Sequence, residues 1–272
     1  MDRLDRAWWL VAGGATAVLS GFVVLPILAI FLRVPPGRLL EQLHSPVALD
    51  ALAVSLKTTT IAVALILALG TPAAYLLAVH PFPGARVLTG LLELPLVLPP
   101  AVAGIGLFAA FGRLGLLGSS LRTLGVEIPF TQIAVVMALA FVAMPFYVRL
   151  AIAAFASIDR QVLSASRTLG AGPGRTFARV GVPLARPGLT AGAALAWARA
   201  LGEFGATLMF AGSLRGRTQT LPLAIFEEFS RGDLDAALAM SALLVLVSAA
   251  LLAVAFRRLP RMAEEVPSPS RR

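Results

Sequence analysis

Long apolar segments alternate with short polar stretches along the chain. Six segments are long and apolar enough to be transmembrane helices, at residues 7–32, 51–79, 87–111, 131–156, 189–211 and 236–256. About 20 apolar residues, rising about 1.5 Å each, cross the hydrocarbon core of a bilayer. The pattern therefore predicts an all-α integral membrane protein of about six transmembrane helices, in one domain over residues 1–260. Residues 261–272 are charged and contain proline, and we expect them to form a disordered tail.

Prolines interrupt the third segment at Pro95, Pro99 and Pro100. Proline breaks a helix, and inside a membrane neighbouring helices or a wet cavity must satisfy the freed backbone groups. A half-helix that starts at such a break directs the positive end of its dipole toward the pathway, which favours an oxyanion. We therefore expect a packed bundle with a pathway, and these prolines are candidate pathway residues. Thr58 in the second segment is another candidate, although a helical threonine usually bonds to its own backbone.

Composition supports the membrane assignment. Hydrophobic residues make up 58% of the 272 residues and charged residues 14%, with a mean hydropathy of +0.86. Soluble domains have about 45–50% apolar residues and about 25% charged residues. The chain has no cysteine, and its two histidines, His44 and His80, lie far apart and fit solvated loops. We therefore expect no disulfide and no metal site. Arg3 and Arg6 precede the first segment as in a signal peptide, but its apolar run is too long and lacks a convincing cleavage site.

The distribution of Lys and Arg predicts the orientation of the chain. If the N-terminus is inside, fourteen of these residues lie on the cytoplasmic side and eight on the other side. Cytoplasmic loops carry an excess of Lys and Arg, so we expect both termini in the cytoplasm. The net charge of +9 follows from these loops, and we expect no nucleic-acid partner.

The loop at residues 157–188 predicts two short helices. Asp159 is placed to cap the first helix, because a carboxylate accepts hydrogen bonds from the free N–H groups of a first turn. A face of small and apolar residues follows at helical spacing, and a glycine ends the helix. These positions are Val162, Ala165, Ser166, Leu169 and Gly170. Pro173 is suited to open the second helix, which we expect to end near Pro183.

On the pattern alone, two interpretations of this pair of short helices are open. It docks on a partner protein, or its arginines lie on anionic lipid. A nucleotide-binding loop is excluded, because residues 170–176 lack the lysine and spacing of a Walker A motif and follow no strand. If ATP drives this protein, another chain hydrolyses it.

The loop resembles the cytoplasmic EAA loop of ABC importer permeases, which reads E-A-A-x-x-x-G followed by a spacer and an apolar residue with proline. Ala165, Gly170 and Pro183 stand at matching positions, whereas Ser164 replaces the glutamate and Ser166 the second alanine. The resemblance implies a coupling helix docked in a cleft of a separate ATPase subunit, with the ion pair of that glutamate lost or replaced. The residues implied in this role are Ser164, Ala165, Ser166, Arg167, Leu169, Gly170, Ala171, Phe177 and Pro183.

Two opposite charges lie inside the fifth segment. Arg199 and Glu203 are four residues apart, so they would share one helix face and pair. Charges inside a membrane are costly unless they pair or border water. We favour a structural ion pair over an anion site, because a compensated arginine is a poor ligand for an anion. Gly202 and Gly205 would let another backbone approach closely. Thr207, at the end of the stretch that begins at Arg199, is a further candidate for the pathway or for packing.

Three stretches together resemble the permease subunits of molybdate, tungstate and sulfate/thiosulfate ABC importers, and most closely those for molybdate. They are residues 94–101, 199–207 and 217–223. The resemblance implies a type I importer bundle in a bacterial-type cytoplasmic membrane. It also implies two ATPase subunits that bind ATP-Mg, so that this chain needs no cofactor, and an extracytoplasmic molybdate-binding protein. Because six spans hardly enclose a pathway for a hydrated dianion, we also expect a homodimer.

Alternatives remain open within the family and outside it. Within the family, the substrate is tungstate or sulfate/thiosulfate instead of molybdate. Outside it, an ATP-independent channel or secondary transporter needs no ATPase. A membrane enzyme would need a convergent set of acids, histidines or a nucleophile, which the segments lack, so we do not expect catalysis by this chain.

Overall fold

The computed structural model describes residues 3–80 and 82–258, and over these residues the chain forms helices and no β-strand. The predicted all-α membrane fold is confirmed, whereas the predicted tail at residues 261–272 lies outside the described residues. In chain order the α-helices are α1 (Arg3–Arg33), α2 (Pro36–Leu43), α3 (Pro46–Val79), α4 (Ala85–Glu93), α5 (Pro100–Phe111), α6 (Gly118–Thr123), α7 (Gln132–Ala156), α8 (Arg160–Thr168), α9 (Pro173–Thr176), α10 (Val182–Leu201), α11 (Gly205–Ala211), α12 (Leu221–Ser230) and α13 (Leu234–Arg258).

Four of the six predicted segments are single long helices. Helices α1, α3, α7 and α13 are long and apolar enough to cross a membrane, over Trp8–Arg33, Pro46–Val79, Gln132–Ala156 and Leu234–Leu251. The second of them starts at Pro46, earlier than the predicted residue 51. The other two predicted segments are broken, each for a reason visible in the sequence.

The third segment is a bent pair instead of one helix. After α4 the chain passes through a 3-10 turn at Leu94–Leu96, and the axis turns by 113° before α5. Pro99 is extended, with a ψ of 134°, and Pro100 occupies the first turn of α5. The missing N–H of a proline is harmless there, because first-turn N–H groups have no partner within the helix.

The fifth segment starts earlier than predicted and is broken near its end. The second loop helix does not stop near Pro183, because α9 runs through a π-helical turn at Phe177–Gly181 directly into α10. A π turn shifts the backbone hydrogen bonds by one residue, so it accommodates the proline that follows it. We call the continuous stretch from Pro173 to Leu201 the helical rod. It ends at Gly202, and α11 resumes the segment at Gly205.

Helix α7 lies between α3 and α10 in the core. The buried ring of Tyr147 fits between Gly70 on α3 and Gly192 on α10, where an added Cβ would lie 3.1 Å from that ring on either side. The Tyr147 hydroxyl lies 2.6 Å from Thr71 Oγ1, which donates its own hydrogen to the Leu67 carbonyl. Tyr147 is therefore the donor. Small residues and interhelical hydrogen bonds hold helices together where lipid replaces water.

Helix α5 packs closely on α11 at Gly104. A Cβ at this position would lie 2.6 Å from the Ala206 carbonyl oxygen and 2.8 Å from Met209 Cβ. By contrast, a Cβ on Gly106 of the same helix would meet nothing within 4 Å. The two glycines therefore form a matched pair for testing this contact.

We predict that Gly104→Leu lowers the free energy of unfolding of the purified protein in detergent by about 1–3 kcal/mol, because it forces α5 away from α11. Gly106→Leu is the control and should change stability little. Thermal unfolding of both variants checks this. Equal losses in the two variants would contradict the close approach of α5 and α11.

Candidate functional site

The loop between α7 and α10 has defined ends. Asp159 caps α8 as predicted, since its Oδ1 accepts the N–H of Gln161 at 2.8 Å. Gly170 follows the helix with a φ of +84°, a left-handed conformation that favours glycine. Ala171, half-buried, donates its N–H to the Ser166 carbonyl at 3.1 Å. Backbone hydrogen bonds therefore fix the turn between α8 and α9.

Helix α8 exposes apolar side chains. Leu163 is buried, whereas Leu169 is 88% exposed and Val162 is 44% exposed. Ala165 is also exposed. We call Val162, Ala165 and Leu169 the exposed α8 face. Ser164 and Arg167 are exposed beside it.

Phe177 braces the start of the helical rod. Its ring centroid lies 5.0 Å from that of Tyr75 on α3 and 6.3 Å from that of Phe155 on α7, and the latter two rings are 5.2 Å apart. Aromatic pairs at such distances stabilise beyond their buried area. Before Phe177 in the loop, the hydroxyls of Ser166 and Thr176 lie 3.1 Å apart and join α8 to α9. The loop is therefore attached to the bundle at the end of two long helices.

His80 is a member of this site that the sequence did not reveal. It was predicted as a solvated loop residue, but it is half-buried at the end of α3, and its Nε2 lies 3.3 Å from Arg167 Nη2 on α8. A guanidinium only donates hydrogen bonds, so Nε2 of His80 is the acceptor in this contact. No spacing rule relates residues 87 positions apart. His44, in contrast, is exposed as predicted.

The carboxylate of Glu203 lies at the break between α10 and α11. Its Oε2 is 2.6 Å from Arg199 Nη2, and its Oε1 accepts the N–H of Ala206 at 2.8 Å. The side chain of Glu203 is 1% exposed and that of Arg199 is 27% exposed. The predicted pair forms, but Glu203 lies beyond the end of α10, so the pair joins two helix ends instead of one helix face. A carboxylate also interacts favourably with the N-terminal end of a helix.

The starts of α5 and α11 lie side by side, and Pro99 and Pro100 are exposed in the single chain. A Cβ on Gly205 would lie 3.1 Å from Pro100 Cβ and 3.2 Å from the Ala101 nitrogen, so this glycine allows the close approach. Gly202 differs, since it ends α10 and an added Cβ there would meet only the Ala198 carbonyl oxygen of its own helix, at 3.7 Å. The predicted close approach of another backbone therefore occurs at Gly205 and not at Gly202. Pro95 is buried in the turn before the bend.

The candidate hydroxyls differ in their environment. Thr58 Oγ1 donates to the Val54 carbonyl at 2.7 Å and is therefore bonded to its own helix. Thr207 on α11 is fully buried, and its Oγ1 has no hydrogen-bond partner among the described residues. Ser55 has a role that the sequence did not indicate, because its Oγ accepts the N–H of Leu221 at 2.7 Å and holds the start of α12 against α3.

The comparisons with known proteins agree with this architecture. Residues 66–262 match the family described as "Binding-protein-dependent transport system inner membrane component". The chain belongs to this family. It is 46% identical over 230 residues to the molybdenum transport system permease protein ModB of Mycobacterium tuberculosis, covering 84% of this chain and 86% of that relative. It is 34% identical over 208 residues to the probable sulfate transport system permease protein cysT of Nephroselmis olivacea, covering 76% and 73%.

A solved structure shows the same fold. A chain from the crystal structure of a bacterial alginate ABC transporter, in complex with an alginate pentasaccharide-bound periplasmic protein, superposes with a TM-score of 0.74. The match covers 96% of this chain and 97% of the other, at 15% sequence identity. This member of the family therefore has the fold of an ABC transporter permease.

We predict that Glu203→Ala lowers the free energy of unfolding by about 3 kcal/mol, because it leaves the Ala206 N–H and the Arg199 guanidinium without their acceptor. Glu203→Gln keeps an acceptor for the N–H and should cost less. The double variant Arg199→Met, Glu203→Gln removes both charges and should recover part of the loss. Thermal unfolding in detergent measures all three. An alanine variant as stable as the parent would show that the Arg199–Glu203 pair does not stabilise the break between α10 and α11.

Proposed function

We propose that this chain is the permease subunit of an ATP-driven importer and forms the transmembrane pathway for molybdate. The observation that supports this substrate is the 46% identity to the ModB molybdenum permease over most of both chains, against 34% to the sulfate permease. The geometry suits a permease, since the half-helices α5 and α11 begin side by side. Broken helices are typical of substrate pathways in transporters.

The exposed α8 face is the proposed contact with a separate ATPase subunit. Apolar side chains such as Leu169 gain stability when a partner removes them from water. Ser164, which stands where the family's loop has glutamate, is exposed beside that face. Docking therefore depends on apolar contact more than on an ion pair at this position. Two ATPase subunits would bind ATP-Mg and hydrolyse the nucleotide, and the permease itself would use no cofactor.

The charges of the loop support the proposed orientation. Five exposed arginines lie in it, or at the start of the helical rod that leaves it: Arg160, Arg167, Arg175, Arg179 and Arg186. An excess of Lys and Arg marks the cytoplasmic side. We therefore place this loop and both termini in the cytoplasm, with the permease in a bacterial-type cytoplasmic membrane.

The first helix supports an assembly of two copies. In the single chain, no residue in the most apolar stretch of α1 is buried. Lipid or a second subunit must cover such a surface, and the four spanning helices and one bent pair of a single copy hardly enclose a pathway. We propose a homodimer with the pathway at its two-fold axis. An extracytoplasmic binding protein, which the description of the family names as a requirement, would deliver the anion to it.

Two other functions are distinguishable from this one. The similarity to a sulfate permease favours sulfate or thiosulfate as the second candidate within the family, together with tungstate, which resembles molybdate in shape and charge. An ATP-independent channel or secondary transporter is the candidate outside it. Transport without any ATPase subunit would identify that class.

We predict that ATP hydrolysis by the complex of this chain, its ATPase and its binding protein, reconstituted in lipid, rises when the binding protein carries molybdate. Loading the binding protein with tungstate or sulfate instead provides the comparison, and the empty binding protein provides the baseline. Stimulation by sulfate alone would assign the chain to the sulfate permeases. No stimulation by any of the three, in a complex shown to assemble, would contradict the importer function.

A further inference from the structure

The stretch from Arg217 to Leu223 lies outside both the helix breaks and the loop that carries α8. Backbone hydrogen bonds fix its first residues, because three consecutive N–H groups, those of Arg217, Thr218 and Gln219, bond to the Leu214 carbonyl at 3.0, 2.8 and 3.0 Å. The Thr218 hydroxyl in turn accepts the N–H of Leu214 at 3.0 Å. Thr218 and Gln219 are buried, whereas Arg217 is exposed. The loop therefore presents the side chain of Arg217 from a fixed backbone.

Arg217 lines a cavity of about 510 Å³ together with Arg113, Glu127 and Thr131. Sites for small molecules have volumes of roughly 300–1,000 Å³. Thr131 is the N-cap residue of α7, and α8 follows the opposite end of that helix. Since the loop with α8 is proposed to be cytoplasmic, the cavity lies on the extracytoplasmic side.

The charges in this cavity favour an anion. Arg113 is already paired, with its Nη2 at 2.8 Å from Glu127 Oε1. Among the residues that the structure describes, no carboxylate oxygen lies within 4.0 Å of the Arg217 side-chain nitrogens. The planar guanidinium offers a fork of N–H donors that matches an oxyanion. The start of α7 at Thr131 adds positive potential from the helix dipole.

One wall of the cavity is held in a costly conformation. Phe130 has a φ of +61°, and it is the one non-glycine residue with a positive φ in the described part of the chain. Its ring packs against Phe108 at 6.1 Å between centroids, and a Cβ on Gly212 would lie 3.1 Å from it. Such backbone costs about 1–3 kcal/mol and concentrates at functional sites. The packing therefore fixes the shape of the wall beside Arg217.

We propose that this cavity is an extracytoplasmic binding site for a tetrahedral oxyanion, with Arg217 as its ligand. The anion released by the binding protein occupies the site before it enters the pathway. The inference rests on the proposed importer function. It goes further in assigning a binding step to the permease itself instead of to the binding protein alone.

The test measures binding of molybdate, and of sulfate for comparison, to the purified complex of permease and ATPase without the binding protein. Arg217→Gln should weaken molybdate binding about tenfold or more, because it removes a charged hydrogen bond. Arg217→Lys keeps the charge and should lose less. The control is Arg215→Gln, two residues away in the same loop, where the arginine pairs with Asp50 at 3.5 Å and does not line the cavity. It should leave the affinity unchanged at an ionic strength of about 0.15 M.

Three outcomes would overturn the proposal. In the first, the parent complex binds no molybdate. In the second, Arg217→Gln and Arg215→Gln weaken binding equally, which indicates only a general electrostatic field. In the third, Arg217→Gln leaves anion binding intact and weakens docking of the binding protein. Size-exclusion chromatography of each variant shows that the complex still assembles. A failure of the importer function is recognised separately, because the parent complex with its loaded binding protein would then show no stimulation of ATP hydrolysis.

Discussion

Every backbone polar group inside a bilayer needs a partner, and this requirement shapes the interior of the bundle. Two helical segments break there, and each break is satisfied locally. Pro100 occupies a first turn where no N–H has a helical partner, and Glu203 accepts the N–H of Ala206 while it pairs with Arg199. Because these groups are satisfied, two half-helices can begin side by side within the protein. The proposed pathway depends on that arrangement.

The helical rod connects this break to the loop that carries α8. At the loop end, Phe177 packs on Tyr75 and Phe155, while Arg167 contacts His80. At the other end the rod stops at Leu201, directly before the break. Close-packed interiors transmit displacement instead of absorbing it. We therefore expect a movement of α8 to reach α3 and α7 through the aromatic contacts, and to reach the break between α10 and α11 through the rod.

The sequence predicted much of this fold because its strongest signals are local. Apolar length identified the long helices, Asp159 and Gly170 marked the ends of α8, and the charges of Arg199 and Glu203 indicated a pair. The continuation of α9 into α10 was not predictable, since Pro183 normally ends a helix and no residue pattern announces a π turn. The contact of His80 with Arg167 and that of Ser55 with Leu221 depend on long-range packing, which a single sequence does not display.

The proposed function requires that α8 faces the cytoplasm and docks on the ATPase. Because the chain has no cysteine, Leu169→Cys introduces a single thiol at a position that is 88% exposed. The measurement is its labelling by a membrane-impermeant thiol reagent, with Leu114→Cys as control, because Leu114 is fully exposed between α5 and α6. We predict that intact cells label only the Leu114 variant. In inverted vesicles we predict that the Leu169 variant is labelled, and that bound ATPase protects it. Labelling of Leu169→Cys from outside, or labelling that the ATPase does not alter, would contradict the claim.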